Sequence, residues 1–253
     1  MRKSHLSFRS NLPKGTGATA KRFVAVTIYA IAMGYLESAV VIYLRQSAFG
    51  NSTQLFPFKF LEPQLGGVEL IRESATIIML LSVGYLAGKN RFQQWMFFVF
   101  TFAVWDIFYY VFLRLFTGWP ATLGDFDVLF LFPVIWVSPV ICPILISLLL
   151  SSASALLIFL SGKTDKLSIS RLNLTILLLG GATIFYSFTE QVLHILFQRG
   201  PRGIENYSPL PFDWRLFSAG FLALCLAATF TIKDCLRKIK TGQSTTQDKN
   251  IVE

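Results

Sequence analysis

Six stretches of this chain run for roughly 20 residues with almost no charge, the length a helix needs to cross the hydrocarbon core of a bilayer. In lipid each backbone N–H and C=O must find its partner within the protein, so such stretches become helices packed side by side. They cover 23–43, 68–87, 95–116, 144–160, 174–197 and 216–232. The expected fold class is all-α: a polytopic integral membrane helical bundle of about six transmembrane helices. The expected organisation is a basic cytoplasmic tail over 1–22, a six-span transmembrane domain over 23–236, and a polar, disordered cytoplasmic tail over 237–253. Composition agrees, since 53% of the 253 residues are hydrophobic and only 15% are charged, too apolar for a water-soluble domain.

The fourth span is irregular. Its apolar run extends over 128–160, and a straight helix of that length would measure about 50 Å, well beyond what the bilayer core requires. Pro133, Pro139 and Pro143 fall in its first half, and each lacks an amide donor. The expected element is therefore broken by prolines: a re-entrant or interfacial piece, followed by a regular span from about Ile144 to Leu160.

The basic residues alternate between the two sides. The N-terminal tail, the turns holding Lys89 with Arg91 and Lys163 with Lys166 and Arg171, and the C-terminal tail hold 16 of the 23 Lys and Arg residues. That bias places both termini in the cytoplasm, in a plasma or bacterial inner membrane. The opposite side, with its span ends, holds 10 of the 14 acids, a weak field that favours cations. The net charge of +9 thus reflects orientation rather than a nucleic-acid partner.

Cofactor signatures are missing. Cys142, Cys225 and Cys235 form no CxxC pair, and His194 is the one histidine outside the N-terminal tail. The chain contains no zinc, haem or nucleotide motif.

What the chain does contain is a set of charges in or at the outer halves of its spans: Glu37 in the first, Glu69, Arg72 and Glu73 in the second, Asp106 and Arg114 in the third, Glu190 and His194 in the fifth. An ionised group at that depth costs a few kcal/mol, so it is normally paired or used. Glu69, Arg72 and Glu73 stand at i, i+3 and i+4, on one helical face. Glu37 precedes Arg45 by eight residues, Asp106 precedes Arg114 by eight, and Glu190 precedes Gln198 by eight, which puts each pair on a common face. Ser187, Glu190, Gln191, His194 and Gln198 form a polar stripe on the fifth span.

These observations suggest a wet pocket in the outer half. The expected ligand- or proton-binding residues are Glu37, Glu69, Arg72, Glu73, Asp106, Tyr110, Arg114, Glu190 and His194. A metal, if one binds, would draw on Glu37, Asp106, Glu190 and His194. The leading expectation is binding or transport of a small polar or cationic solute with protons. One alternative is a membrane-embedded enzyme acting on a lipid-linked substrate at the outer leaflet, with Glu73, Asp106 and His194 as catalytic candidates. The other is a non-catalytic assembly or scaffold protein whose charges lock helices together. The expected partners are the lipid bilayer and a small polar solute or lipid headgroup. Against transport, the inner halves offer little polarity beyond Thr27, Ser82 and Thr101.

Overall fold

The structure, a computed structural model, describes residues 16–49, 55–59, 62–162 and 167–249. Among the described residues six helices are long and apolar enough to cross a membrane: α1 Thr16–Phe49, α2 Pro63–Ala87, α3 Arg91–Thr117, α4 Ile141–Ser161, α5 Arg171–Arg199 and α6 Trp214–Lys249. Large apolar side chains such as Ile71, Leu86 and Phe197 point away from the bundle, as lipid-facing residues do. The chain is a multi-pass integral membrane protein.

Local chemistry fixes the helix ends. Asn90 caps α3 by accepting from the Gln93 amide at 2.9 Å, and Ser170 caps α5 by accepting from the Asn173 amide at 3.2 Å. Gly118 ends α3 in a left-handed conformation, with φ of 73°, that a side chain would resist. Pro63 opens α2, where its missing N–H has no intrahelical role.

The helices overrun the apolar stretches at both termini. α1 starts at Thr16, inside the basic tail expected over 1–22; residues 1–15 of that tail lie outside the described residues, as do Lys163 and Lys166 of the basic turn. α6 continues to Lys249, through most of the tail expected to be disordered from 237. Hydropathy marks where lipid ends, whereas adding a residue to an existing helix costs little, so the helix outlasts the apolar signal.

The proline-rich segment before the regular fourth span is a β-hairpin. β1 (Phe126–Val128) pairs antiparallel with β2 (Val137–Pro139), with Asp127 opposite Ser138. Pro133 lies between the strands and Pro139 ends β2, while Pro143 occupies the first turn of α4, where its amide is not needed. α4 itself is 21 residues, about 32 Å, and spans without a break.

α3 is the centre of the bundle: half of its apolar window is buried, against 28–33% for the other spans. α1, α2 and α4 pack on it, while α5 packs on α6. A glycine on each of α1 and α2 permits close approach to α3. A Cβ on Gly34 of α1 would stand 2.9 Å from the Trp105 carbonyl oxygen, and one on Gly84 of α2 would stand 2.6 Å from the Phe98 amide nitrogen. α1 and α2 make few contacts with each other.

At one end of the bundle the start of α1 meets the end of α2, where Arg22 Nη1 donates to the Ala87 carbonyl at 2.5 Å. The end of α6 meets the start of α5 at the same level, where Lys238 Nζ donates to Ser168 Oγ at 3.3 Å. This half is filled by Val26, Phe97, Phe100, Leu157 and Ile158. Some of its polar groups bond their own backbone, as Thr101 Oγ1 does the Phe97 carbonyl at 2.6 Å, and others bond across helices, as Gln93 Nε2 does Ser161 Oγ at 3.2 Å. The opposite half holds the hairpin and most of the charged groups within the bundle.

Candidate functional site

Arg72 is the hub. Its Nε and Nη2 donate to the two oxygens of Glu69 at 2.8 and 2.6 Å, a forked pair that the i, i+3 spacing permits. Its Nη1 donates across to Glu37 of α1 at 2.6 Å. One guanidinium thus serves two carboxylates, and Glu37 and Glu69 are both buried. One turn deeper on α2, Glu73 is buried too and accepts the Leu131 amide of the hairpin on both oxygens, at 3.1 Å each.

Asp106 of α3 is half-buried. Its Oδ2 accepts from the Ser147 hydroxyl of α4 at 2.8 Å, and no cation pairs with it among the described residues. Asp127 of β1 is 1% exposed. A carboxylate so far from water needs several partners. Arg45 of α1 lies at 3.2 Å, the Tyr110 and Tyr109 hydroxyls donate at 3.1 and 3.3 Å, and the Val128 amide donates at 2.9 Å. The Arg45 guanidinium also stacks over the Trp119 ring, 3.9 Å from its centroid.

These groups surround two adjoining chambers. The inner one, of ≈ 230 Å³, is bounded by Glu37, Glu69, Arg72, Glu73 and Asp106 and by aromatic rings that include Trp105, Tyr109, Tyr110 and Trp136. The outer one, of ≈ 300 Å³, lies between α1, α2 and the hairpin and is mostly apolar, with Arg45, Lys59 and Asp127 on its wall. Val41, Glu69, Glu73, Tyr109 and Val128 border both.

The sequence-derived candidates therefore divide. Glu37, Glu69, Arg72, Glu73, Asp106 and Tyr110 border the inner chamber. Arg114 does not: it is exposed and its Nη1 donates to the Gly118 and Pro120 carbonyls, closing the end of α3. Glu190 and His194 do not either. They border a separate pocket of ≈ 860 Å³ beneath the α5–α6 connection, together with Gln191 and Tyr207. There Gln191 Oε1 accepts from the Tyr207 hydroxyl at 2.8 Å and from the Leu210 amide at 2.9 Å, so the α5 stripe holds a loop in place. Burial pushes the Tyr207 hydroxyl up to about 12, which keeps it a donor.

The metal set Glu37, Asp106, Glu190 and His194 is not assembled, because α5 borders the inner chamber with Gly181, Ile184 and Phe188, whereas Glu190 and His194 border the separate pocket. Among the described residues no group of three or more His, Cys, Asp or Glu is arranged to hold a metal ion. The eight-residue pairing also resolves differently. Glu37 bonds Arg72 rather than Arg45, and Arg45 bonds Asp127.

Asp127 and Arg45 join the site without having been candidates, and Tyr109 borders both chambers. Asp127 directly precedes the long apolar run, and that position was its one available signal.

Chemically, the inner chamber brings four carboxylates to one guanidinium. Arg72 is committed to two of them, and Glu73 and Asp106 accept only from neutral donors. Carboxylates in such surroundings are chemically suited to hold a proton or a cation. Comparisons of the chain with protein-family models, with curated proteins and with solved structures return no match.

Proposed function

We propose that this protein binds a small polar or cationic solute, with proton exchange, in the inner chamber enclosed by the helices and the hairpin. The observation that carries the reading is the surplus of acid: Glu73 and Asp106 border one chamber without a cation, while Arg72 is occupied by Glu37 and Glu69. The chamber lies in the half of the bundle away from the start of α1 and the end of α6. The bias of Lys and Arg favours cytoplasmic termini, and hence a chamber toward the opposite face of a plasma or bacterial inner membrane. Binding is favoured over passage, since the other half is packed with Phe97, Phe100, Leu157 and Ile158.

The test uses the purified full chain in maltoside micelles, with sodium, ammonium and methylammonium chlorides as probes at constant ionic strength. The melting temperature is expected to rise with at least one cation and to lose that rise in Asp106→Asn and Glu73→Gln. A protein that responds to none of them, and releases no protons on their addition, overturns the reading.

The apolar chamber beside Glu73 favours a second reading, an enzyme acting on a lipid-linked substrate. Glu73 and Asp106 would then have to supply acid and base between them, since His194 borders neither chamber.

A further inference from the structure

We infer that the ligand is an organic ammonium ion carrying an alkyl chain, its nitrogen in the inner chamber and its chain in the outer one. The inference rests on the binding reading above and names the chemical class that the site would take.

The inner chamber is built for a soft cation. Inorganic cations select sites crowded with oxygen ligands, whereas here the carboxylates of Glu73 and Asp106 share the wall with a run of rings. Trp105 and Phe130 have centroids 6.4 Å apart, and Phe130 and Trp136 lie 5.4 Å apart, so the rings form one continuous surface. Aromatic faces attract alkylated ammonium groups, whose charge is spread and weakly hydrated. A carboxylate behind such a surface adds the charge that the rings lack.

A second observation points to an occupant. Trp105 is 5% exposed, and its indole N–H is a buried donor with no acceptor among the described residues. Buried donors are normally satisfied. A ligand with an oxygen near its nitrogen would supply the acceptor.

The outer chamber supplies the reason for a chain. Leu44, Leu55, Phe58, Leu70, Leu131 and Ile135 border it, and a small hydrophilic solute would gain nothing from that surface. Glu73 borders both chambers, so a nitrogen held beside it directs its substituent along the apolar wall. The chamber lies between α1 and α2, which pack on α3 more than on each other, and that geometry suits an occupant arriving from the lipid side as well as one from water.

The experiment uses the full chain in maltoside micelles and the series from tetramethylammonium to hexyltrimethylammonium, with 1-hexanol as the neutral control. Apparent affinity is read from the dependence of melting temperature on probe concentration. It is expected to tighten by about fourfold per added methylene. Asp106→Asn is expected to lose the response to every ammonium. Leu44→Trp, which narrows the outer chamber, is expected to lose the chain-length dependence. Binding of tetramethylammonium with no gain from longer chains overturns this inference and leaves the binding reading standing. A matching response to 1-hexanol also overturns it, because the chain would then be partitioning without the charge. No response to any ammonium or inorganic cation overturns both. A lipid headgroup and a free amine share this chemistry. Displacement of hexyltrimethylammonium by phosphatidylethanolamine but not by ethanolamine assigns the lipid, and the reverse assigns the free amine.

Discussion

Arg72 Nη1 and Glu37 Oε2 lie 2.6 Å apart, joining two helices that otherwise touch little. The same guanidinium holds Glu69. Removing it strands two carboxylates that are more than nine-tenths buried or close to it. Arg72→Met is expected to destabilise the fold by about 3 kcal/mol, because losing one partner of a buried pair leaves the other uncompensated. Adding Glu37→Gln and Glu69→Gln to that variant should restore most of the loss. Denaturation in micelles measures both, and a single variant as stable as the parent would show that the cluster contributes nothing to the fold.

Asp127 anchors the hairpin through Arg45, Tyr109 and Tyr110. Asp127→Ala removes the shared acceptor of three side chains, and a cost of about 3 kcal/mol is expected. Asp127→Asn keeps an acceptor and should cost less. Hydrogen exchange over 126–139 is the direct readout: faster exchange in the alanine variant is expected, confined first to the hairpin and its neighbours on α3. Unchanged protection there would remove Asp127 from this role.

Gly34→Ala places a methyl group 2.9 Å from the Trp105 carbonyl oxygen, and neither backbone can yield cheaply. Overpacking of this kind costs about 1–3 kcal/mol. It should also shift α1 relative to α3 and thereby weaken the reach of Arg72 to Glu37. Combining Gly34→Ala with Arg72→Met should then cost less than the sum of the two, which a double-mutant cycle reads.

Asp125 sits in the turn that enters the hairpin. The little burial it has works to raise its carboxyl, but the Thr122 hydroxyl and the Thr122 and Ala121 amides donate to it and Arg114 lies nearby, and the net result is a value below the usual carboxylate range. A depressed value in the folded state means the stabilisation is complete above the unfolded value, about 4, and is lost as pH falls through the folded one. The exchange rates of the Ala121 and Thr122 amides, normalised for intrinsic pH dependence, should rise across that acid window. Asp125→Asn should flatten the pH dependence.

Much of the architecture could be read from the chain because lipid imposes a length and a composition on each span. The hub on α2 could be read as well, since Glu69, Arg72 and Glu73 share a face by helical spacing alone. Glu190 and His194 show the boundary of that reasoning. Depth and spacing place a residue along its own helix but do not say what its face meets, and on α5 it is Gly181, Ile184 and Phe188 that border the chamber. Asp127 shows another boundary. A three-residue strand at the edge of an apolar run produces no period, so nothing in the local pattern distinguishes the hairpin from the start of a helix.

The bond between Glu73 and position 131 has a genetic consequence. Its donor is a main-chain amide, which nineteen of the twenty amino acids would provide equally. Only proline would abolish it. A constraint of this kind is written in the path of the backbone and leaves no letter in the sequence at 131.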